Sequence, residues 1–191
     1  MNPKTNRAES LGYEGIWTTN SGAIPCKLRV MSTSSSHSDQ ALDLLRSATE
    51  CAKAQDFEQA RLHLTELLDI EPQHEVAMGM LAAVYAELKT LDRASDYFRR
   101  VLEINPDNVL ARFQLGIVQL EIGHAEDALA TWQLGNYGPN DYLVKYHSGL
   151  ALLQLDRPSE ALAAFQSAQQ FMPVDHVLYP KLLEFLIKLS N

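Results

Sequence analysis

Apolar residues recur along most of this chain at the spacing of a helix face. From Glu75 to Asn108 the sequence reads EVAMGMLAAVYAELKTLDRASDYFRRVLEINPDN, two amphipathic stretches joined by a short polar turn. Apolar residues three and four apart share one face of a helix, so the pattern predicts helices over 75–88 and 91–104. It occurs once before this hairpin and twice after it. Upstream, Leu42, Leu45, Ala48 and Ala52 predict a helix capped by Ser38 or Asp39. Its partner runs over 57–70 and carries Ala60, Leu64, Leu67 and Leu68. Downstream come 109–122 with a short helix near 125–135, then 142–155 and 158–171, where Pro158 suits a first turn. Clusters of β-branched residues at period two are absent, so the fold class is all-α.

The hairpins repeat in detail. The alanines Ala60, Ala94, Ala128 and Ala161 are 34, 34 and 33 residues apart. Twelve residues before each stands a small one, Ala48, Ala82, Gly116 or Gly149, and four residues after each a large apolar one, Leu64, Phe98, Trp132 or Phe165. A proline closes each unit at Pro72, Pro106, Pro139 and Pro173. Such a period marks a solenoid, because one hairpin cannot bury its apolar face alone. Helices approach closely where a side chain is missing, and the bulky residue one turn past the alanine fills the space beside it.

These residues resemble the tetratricopeptide repeat. Leu81-Ala82, Tyr85, Ala94, Phe98 and Pro106 stand at that family's leucine, small, tyrosine, alanine, aromatic and proline positions. Leu115-Gly116, Ala128 and Trp132 match in the third unit, and Gly149, Ala161, Phe165, Ala168 and Pro173 in the fourth. The first unit is looser, with Cys51 at the tyrosine position. The resemblance implies a right-handed α-solenoid of four hairpins, at 41–74, 75–108, 109–141 and 142–175, plus a C-terminal capping helix at 176–191. It also implies a protein-binding role without catalysis, since the shared residues are structural.

Carried over from the family, the first helix of each hairpin lines a concave side. The first unit then offers Leu42, Leu45, Arg46, Thr49 and Lys53, and the second Val76, Gly79, Met80, Ala83 and Glu87. The third and fourth are more apolar: Leu110, Phe113, Gln114, Ile117 and Leu120, then Leu143, Tyr146, His147, Leu150 and Leu153. The lysines and asparagines with which some relatives clamp an acidic peptide terminus are missing. The expected partner-binding groove is therefore Leu110, Phe113, Gln114, Ile117, Leu120, Leu143, Tyr146, His147 and Leu150. It suits a hydrophobic client segment, either a peptide or an amphipathic helix.

Charge and composition narrow the partners. Net charge is -8, with +1 on residues 1–40 and -9 on the rest, which argues against a nucleic-acid backbone as partner. No apolar run is long enough to span a membrane, and the chain reads as cytoplasmic. The six histidines form no metal-binding pair, and no Gly-rich phosphate loop appears. No cofactor, metal or catalytic residue is expected. Cys26 and Cys51 are too few for a disulfide framework, and Cys51 reads as an inert packing residue.

Both ends depart from the repeat. Residues 1–38 are polar and Gly/Ser-rich and read as a disordered tail. Ile16 and Trp17 form a candidate docking motif within it, and Met31, directly before the first helix, is a candidate true start. The last stretch, HVLYPKLLEFLIKLSN, is apolar around most of a helix. Leu182, Phe185, Leu186 and Leu189 are thus the candidate interface of a homodimer or structural oligomer, the rival to a client-binding adaptor or chaperone-like scaffold. A weaker rival is a regulatory subunit of an enzyme or secretion complex. In the third hairpin Gly135, Asn136, Tyr137 and Gly138 break the helix early, which suggests a tighter corner or a loop touching a ligand through Tyr137.

Overall fold

The computed structural model describes residues 37–138 and 141–190. The expectations about the tail, Met31, the Ile16–Trp17 motif and Pro139 lie outside the described residues. Within them the helices are α1 (His37–Lys53), α2 (Phe57–Ile70), α3 (Glu75–Glu87), α4 (Leu91–Ile104), α5 (Val109–Ile122), α6 (Ala125–Gln133), α7 (Tyr142–Gln154), α8 (Pro158–Gln169) and α9 (Tyr179–Leu189). No strand occurs among the described residues. The helices fall into two compact units: α1–α4, ending at Pro106, and α5–α9, starting at Asp107. In each, successive helices pack as antiparallel hairpins, the hallmark of an all-α repeat fold.

Every hairpin turns in the same way. The first helix ends on a residue with positive φ: Gln55 (61°), Lys89 (61°), Gly123 (101°) and Asp156 (56°). The next amide then donates back across the end of the helix: Asp56 to Cys51 (2.9 Å), Thr90 to Tyr85 (2.9 Å), His124 to Gln119 (2.8 Å) and Arg157 to Leu152 (2.9 Å). This left-handed cap satisfies carbonyls that the ended helix would leave bare. Only Gly123 takes the conformation without a steric cost; the other three are held in it by the repeat.

Helix starts are set by side chains. Asp56, His74, Asn108 and Asp141 each accept the amide three residues on, at 2.8–3.2 Å. Such caps are each worth about 0.5–2 kcal/mol. The expected caps Ser38 and Asp39 lie instead inside α1, which already begins at His37. At the other end α9 begins at Tyr179 rather than at His176. His176 uses Nδ1 to accept the Leu178 amide (3.1 Å), and Pro180 then occupies the first turn.

The small–large pairs are close packed. A Cβ on Gly116 would run into the Trp132 ring, and one on Gly149 would stand 2.6 Å from Phe165. Ala48, Ala82, Ala60, Ala94, Ala128 and Ala161 are fully buried, as are Leu64 and Phe165. Cys51 is also fully buried, as its helix position predicts. Its sulfur is disulfide-bonded, however, rather than an inert packing thiol.

Candidate functional site

The α5–α9 unit swallows much of the expected groove. Phe113, Ile117, Ala125, Ala128, Trp132 and Ala151 form one apolar cluster. Trp132 donates its Nε1 hydrogen to the Phe113 carbonyl at 3.0 Å. The Phe113 ring lies 6.5 Å from Trp132 and meets His147 edge-on at 5.6 Å. His147 also contacts Trp132 and Tyr146, so aromatic rings surround it on several sides. Its Nε2 is buried without a hydrogen-bond partner, and loss of water lowers its pKa to about 4. Tyr146 packs on Phe165 and Phe185, and burial pushes its hydroxyl up to about 12, with Glu184 adding to the shift.

Five expected groove residues are thus core side chains: Phe113, Gln114, Ile117, Tyr146 and His147. The reason is size. Gly116 and Gly149 let α6 and α8 come close, and the large rings then fill the remaining space. Leu110 stays 41% exposed, and Leu120, Leu143 and Leu150 are half-buried at the cluster edges. Tyr137 is not held out to solvent. Its ring covers Gly135 and packs at the edge of the Phe113 cluster, and its buried hydroxyl has a raised pKa, mainly through desolvation.

The C-terminal helix is turned the same way. Leu182 is fully buried, and Phe185, Leu186 and Leu189 pack against the Tyr146–Phe165 cluster. Phe185 stacks on Phe165 with ring centres 4.9 Å apart and an interplanar angle of 2°. The residues expected to join a second copy therefore cover the chain's own last hairpin. The exposed apolar residues of α9 are Leu183 and Ile187, the latter 65% exposed.

In the α1–α4 unit part of the first-helix face is open. Leu42, Leu45 and Thr49 lie on one stripe of α1, and Val76, Gly79, Met80 and Ala83 on one stripe of α3. The two stripes meet where the Thr49 hydroxyl, donating to the Leu45 carbonyl at 2.8 Å, touches the Met80 sulfur at 4.0 Å. Met80 and Ala83 are buried, whereas Leu42 is 63% and Val76 56% exposed. A Cβ on Gly79 would meet nothing within 4 Å. Arg46 and Lys53 are exposed on α1. The site is an apolar ledge with open space above Gly79 of α3 and cationic side chains on α1.

Among the described residues no group of three or more His, Cys, Asp or Glu side chains could hold a metal ion. No helix among them is long and apolar enough to cross a membrane. Hairpins of this geometry define a helical-repeat protein whose shared residues serve packing. Tetratricopeptide-repeat models match residues 45–109 and 97–130. The chain is a tetratricopeptide-repeat protein. Comparison with curated protein sequences gives no match.

Solved structures share the fold. MamA 41-end from Desulfovibrio magneticus RS-1 superposes with a TM-score of 0.68 at 22% identity, over 80% of this chain and 94% of that one. YrrB, described as a TPR protein with an unusual peptide-binding site, gives 0.63 at 17% identity, over 78% of this chain and 86% of the other. MamA AMB-1 gives 0.65 at 23% identity, over 69% and 78%.

Proposed function

We propose that the protein is a non-enzymatic scaffold, adaptor-like or chaperone-like, that holds a hydrophobic segment of a client protein. The observation that carries this reading is the exposure of Leu42 and Val76 at equivalent positions of successive first helices, beside open space over Gly79. Monomeric proteins do expose single apolar side chains, but here two recur in register on neighbouring helices. Each Leu or Val covered by a client contributes about 1.5–3 kcal/mol, so a short peptide or one face of an amphipathic helix suffices for useful affinity. Within the second unit, Leu110, Leu120, Leu143 and Leu150 are the candidate contacts in their own right. The peptide-binding site of YrrB, which shares the fold, supports a peptide as the form of the client.

The test is affinity capture from native lysate with wild type, Leu42→Glu/Val76→Glu and Leu110→Glu/Leu143→Glu baits. A client held by wild type and lost from the first variant, with its helix content intact by circular dichroism, supports the ledge. Equal recovery by all three baits refutes it. A second reading, self-association through α9, is favoured by exposed Leu183 and Ile187. It expects a dimer by light scattering that Ile187→Glu converts to a monomer. A regulatory-subunit role is a special case of the first reading and expects the captured client to be an enzyme or a secretion component.

A cytoplasmic setting belongs to the same proposal. The bonded sulfur of Cys51 stands against it, because thiols are kept reduced in that compartment. Alkylation in intact cells followed by mass measurement decides between a modified and a protected Cys51.

A further inference from the structure

Beyond the first-helix ledge, α4 carries a stripe that the repeat does not require. Arg93, Tyr97, Arg100 and Ile104 follow one another at helical spacing on one side of the helix. The Arg93 guanidinium carbon lies 5.5 Å from the centre of the Tyr85 ring, and its Nη1 donates to the Tyr85 hydroxyl at 3.5 Å. The Arg100 guanidinium carbon lies 4.9 Å from the centre of the Tyr97 ring. Tyr85 and Tyr97 stack with centres 5.6 Å apart, which ties the stripe to α3. Arg93 and Arg100 are both exposed, and neither makes an ion pair among the described residues. Asp96 is engaged instead by Arg99 at 3.4 Å. Ile104, at the end of the stripe, is 42% exposed.

We propose that this stripe docks a short acidic segment of a partner protein in polyproline II conformation. Arg93, held by one donor to the Tyr85 hydroxyl, and Arg100, beside the Tyr97 ring, have further N–H donors to offer. Holding the guanidiniums there beforehand reduces the rotamer entropy lost when a carboxylate pairs with them. Carboxylates accept such donors two at a time. Arg93 and Arg100 are separated by about 10 Å along the helix. A polyproline II segment has about three residues per turn and rises about 3.1 Å per residue, so side chains three apart share a face and cover about that distance. Ile104 lies about 6 Å further along the helix. The fitting sequence is acid-x-x-acid followed by an apolar residue, read in one chain direction or the other.

A short segment fits where a wide anionic surface does not. Asp92, Asp96 and Glu103 flank the stripe and balance the three arginines of α4, and the whole chain carries -8. A membrane or a nucleic acid would meet these acids as well as the guanidiniums. The proposal is independent of the client-binding ledge, since none of its residues lies there.

The experiment titrates the full chain into a fluorescein-labelled peptide, Glu-Ala-Ala-Glu-Ala-Leu, and follows anisotropy at low and at raised salt. The same peptide with Gln in place of Glu is the control, and phosphatidylserine vesicles are offered separately. The expected result is saturable, salt-sensitive binding that weakens about tenfold for Arg93→Gln/Arg100→Gln and for the Gln peptide. Leu42→Glu/Val76→Glu leaves it unchanged, which separates this proposal from the ledge. Absence of saturable binding, equal binding by the arginine variant, or binding of vesicles without binding of the peptide would overturn it.

Discussion

The two units carry the same hairpins and fill one register position in opposite ways. Where the second unit has Phe113 and Tyr146 the first has Leu45 and Gly79, and three residues earlier Leu42 and Val76 are more exposed than their counterparts Leu110 and Leu143. The small or short side chains leave part of the first-helix face open, with Leu42 63% and Val76 56% exposed. The aromatic ones draw the surrounding elements onto themselves: Trp132 and His147 onto Phe113, Phe165 and Phe185 onto Tyr146. Apolar character at a groove position is therefore a poor guide to binding. A large ring with a glycine-lined neighbour becomes core; a modest apolar side chain with nothing over it becomes surface.

This contrast breaks most readily at Phe113, which is only 7% exposed. Phe113→Glu places an unpaired charge inside the ring cluster. A loss of about 4 kcal/mol or more is expected, read as a collapse of the thermal or urea transition. A like charge on the open face, Val76→Glu, is expected to move stability by about 0.5 kcal/mol or less. If the two cost the same, the contrast is wrong.

His147 gives the next largest effect and a sign. Its folded value of about 4 lies below the ordinary 6.5, so the unfolded chain binds the extra proton first. Its contribution to stability is fully present above about pH 6.5, falls as the pH drops, and levels off near pH 4, a total on the order of 3 kcal/mol. The groups charged on the helices around it, Arg112 and Glu121 of α5, Glu126 and Asp127 of α6 and Lys145 of α7, do not enter this shift, which comes from burial alone. Urea midpoints of wild type and His147→Leu between pH 4 and pH 7 isolate the effect: the variant is expected to lose that part of the slope.

The glycines sharpen the comparison at a smaller scale. Gly149→Ala drives a methyl group against Phe165 and is expected to cost about 1–3 kcal/mol. Gly79→Ala meets open space in mid-helix and is expected to stabilise by about 0.5–1 kcal/mol. Thermal melts of the two variants should move in opposite directions.

The fold was legible in the sequence because its determinants are local and periodic. The small–large pairs, the corner prolines and the helical spacing are all side-chain signals, and helix ends such as those of α2 and α5 follow from them. The left-handed turn of each hairpin was not legible, since Gln55, Lys89 and Asp156 occupy a conformation that only Gly123 advertises. The site was read less well for a different reason. Which of Phe113, Tyr146, Val76 and Leu42 sees water depends on what packs over it, and one helix's pattern does not carry that. The Arg93–Tyr97–Arg100 stripe was missed because its helix looked like an ordinary solvated face of mixed charge. The exposed pair at Leu42 and Val76 was present among the positions implied by the repeat, but the more apolar later units drew the weight.

The most direct test of the open-face reading is site-specific photocrosslinking in cells. A benzophenone side chain at Val76 and another at Glu126, an exposed position on α6, are irradiated in parallel and the adducts sized. The account predicts a discrete protein adduct from position 76 that disappears when Leu42→Glu is added, and none from position 126. The same adducts from both positions, or an adduct at 76 indifferent to Leu42→Glu, would contradict it.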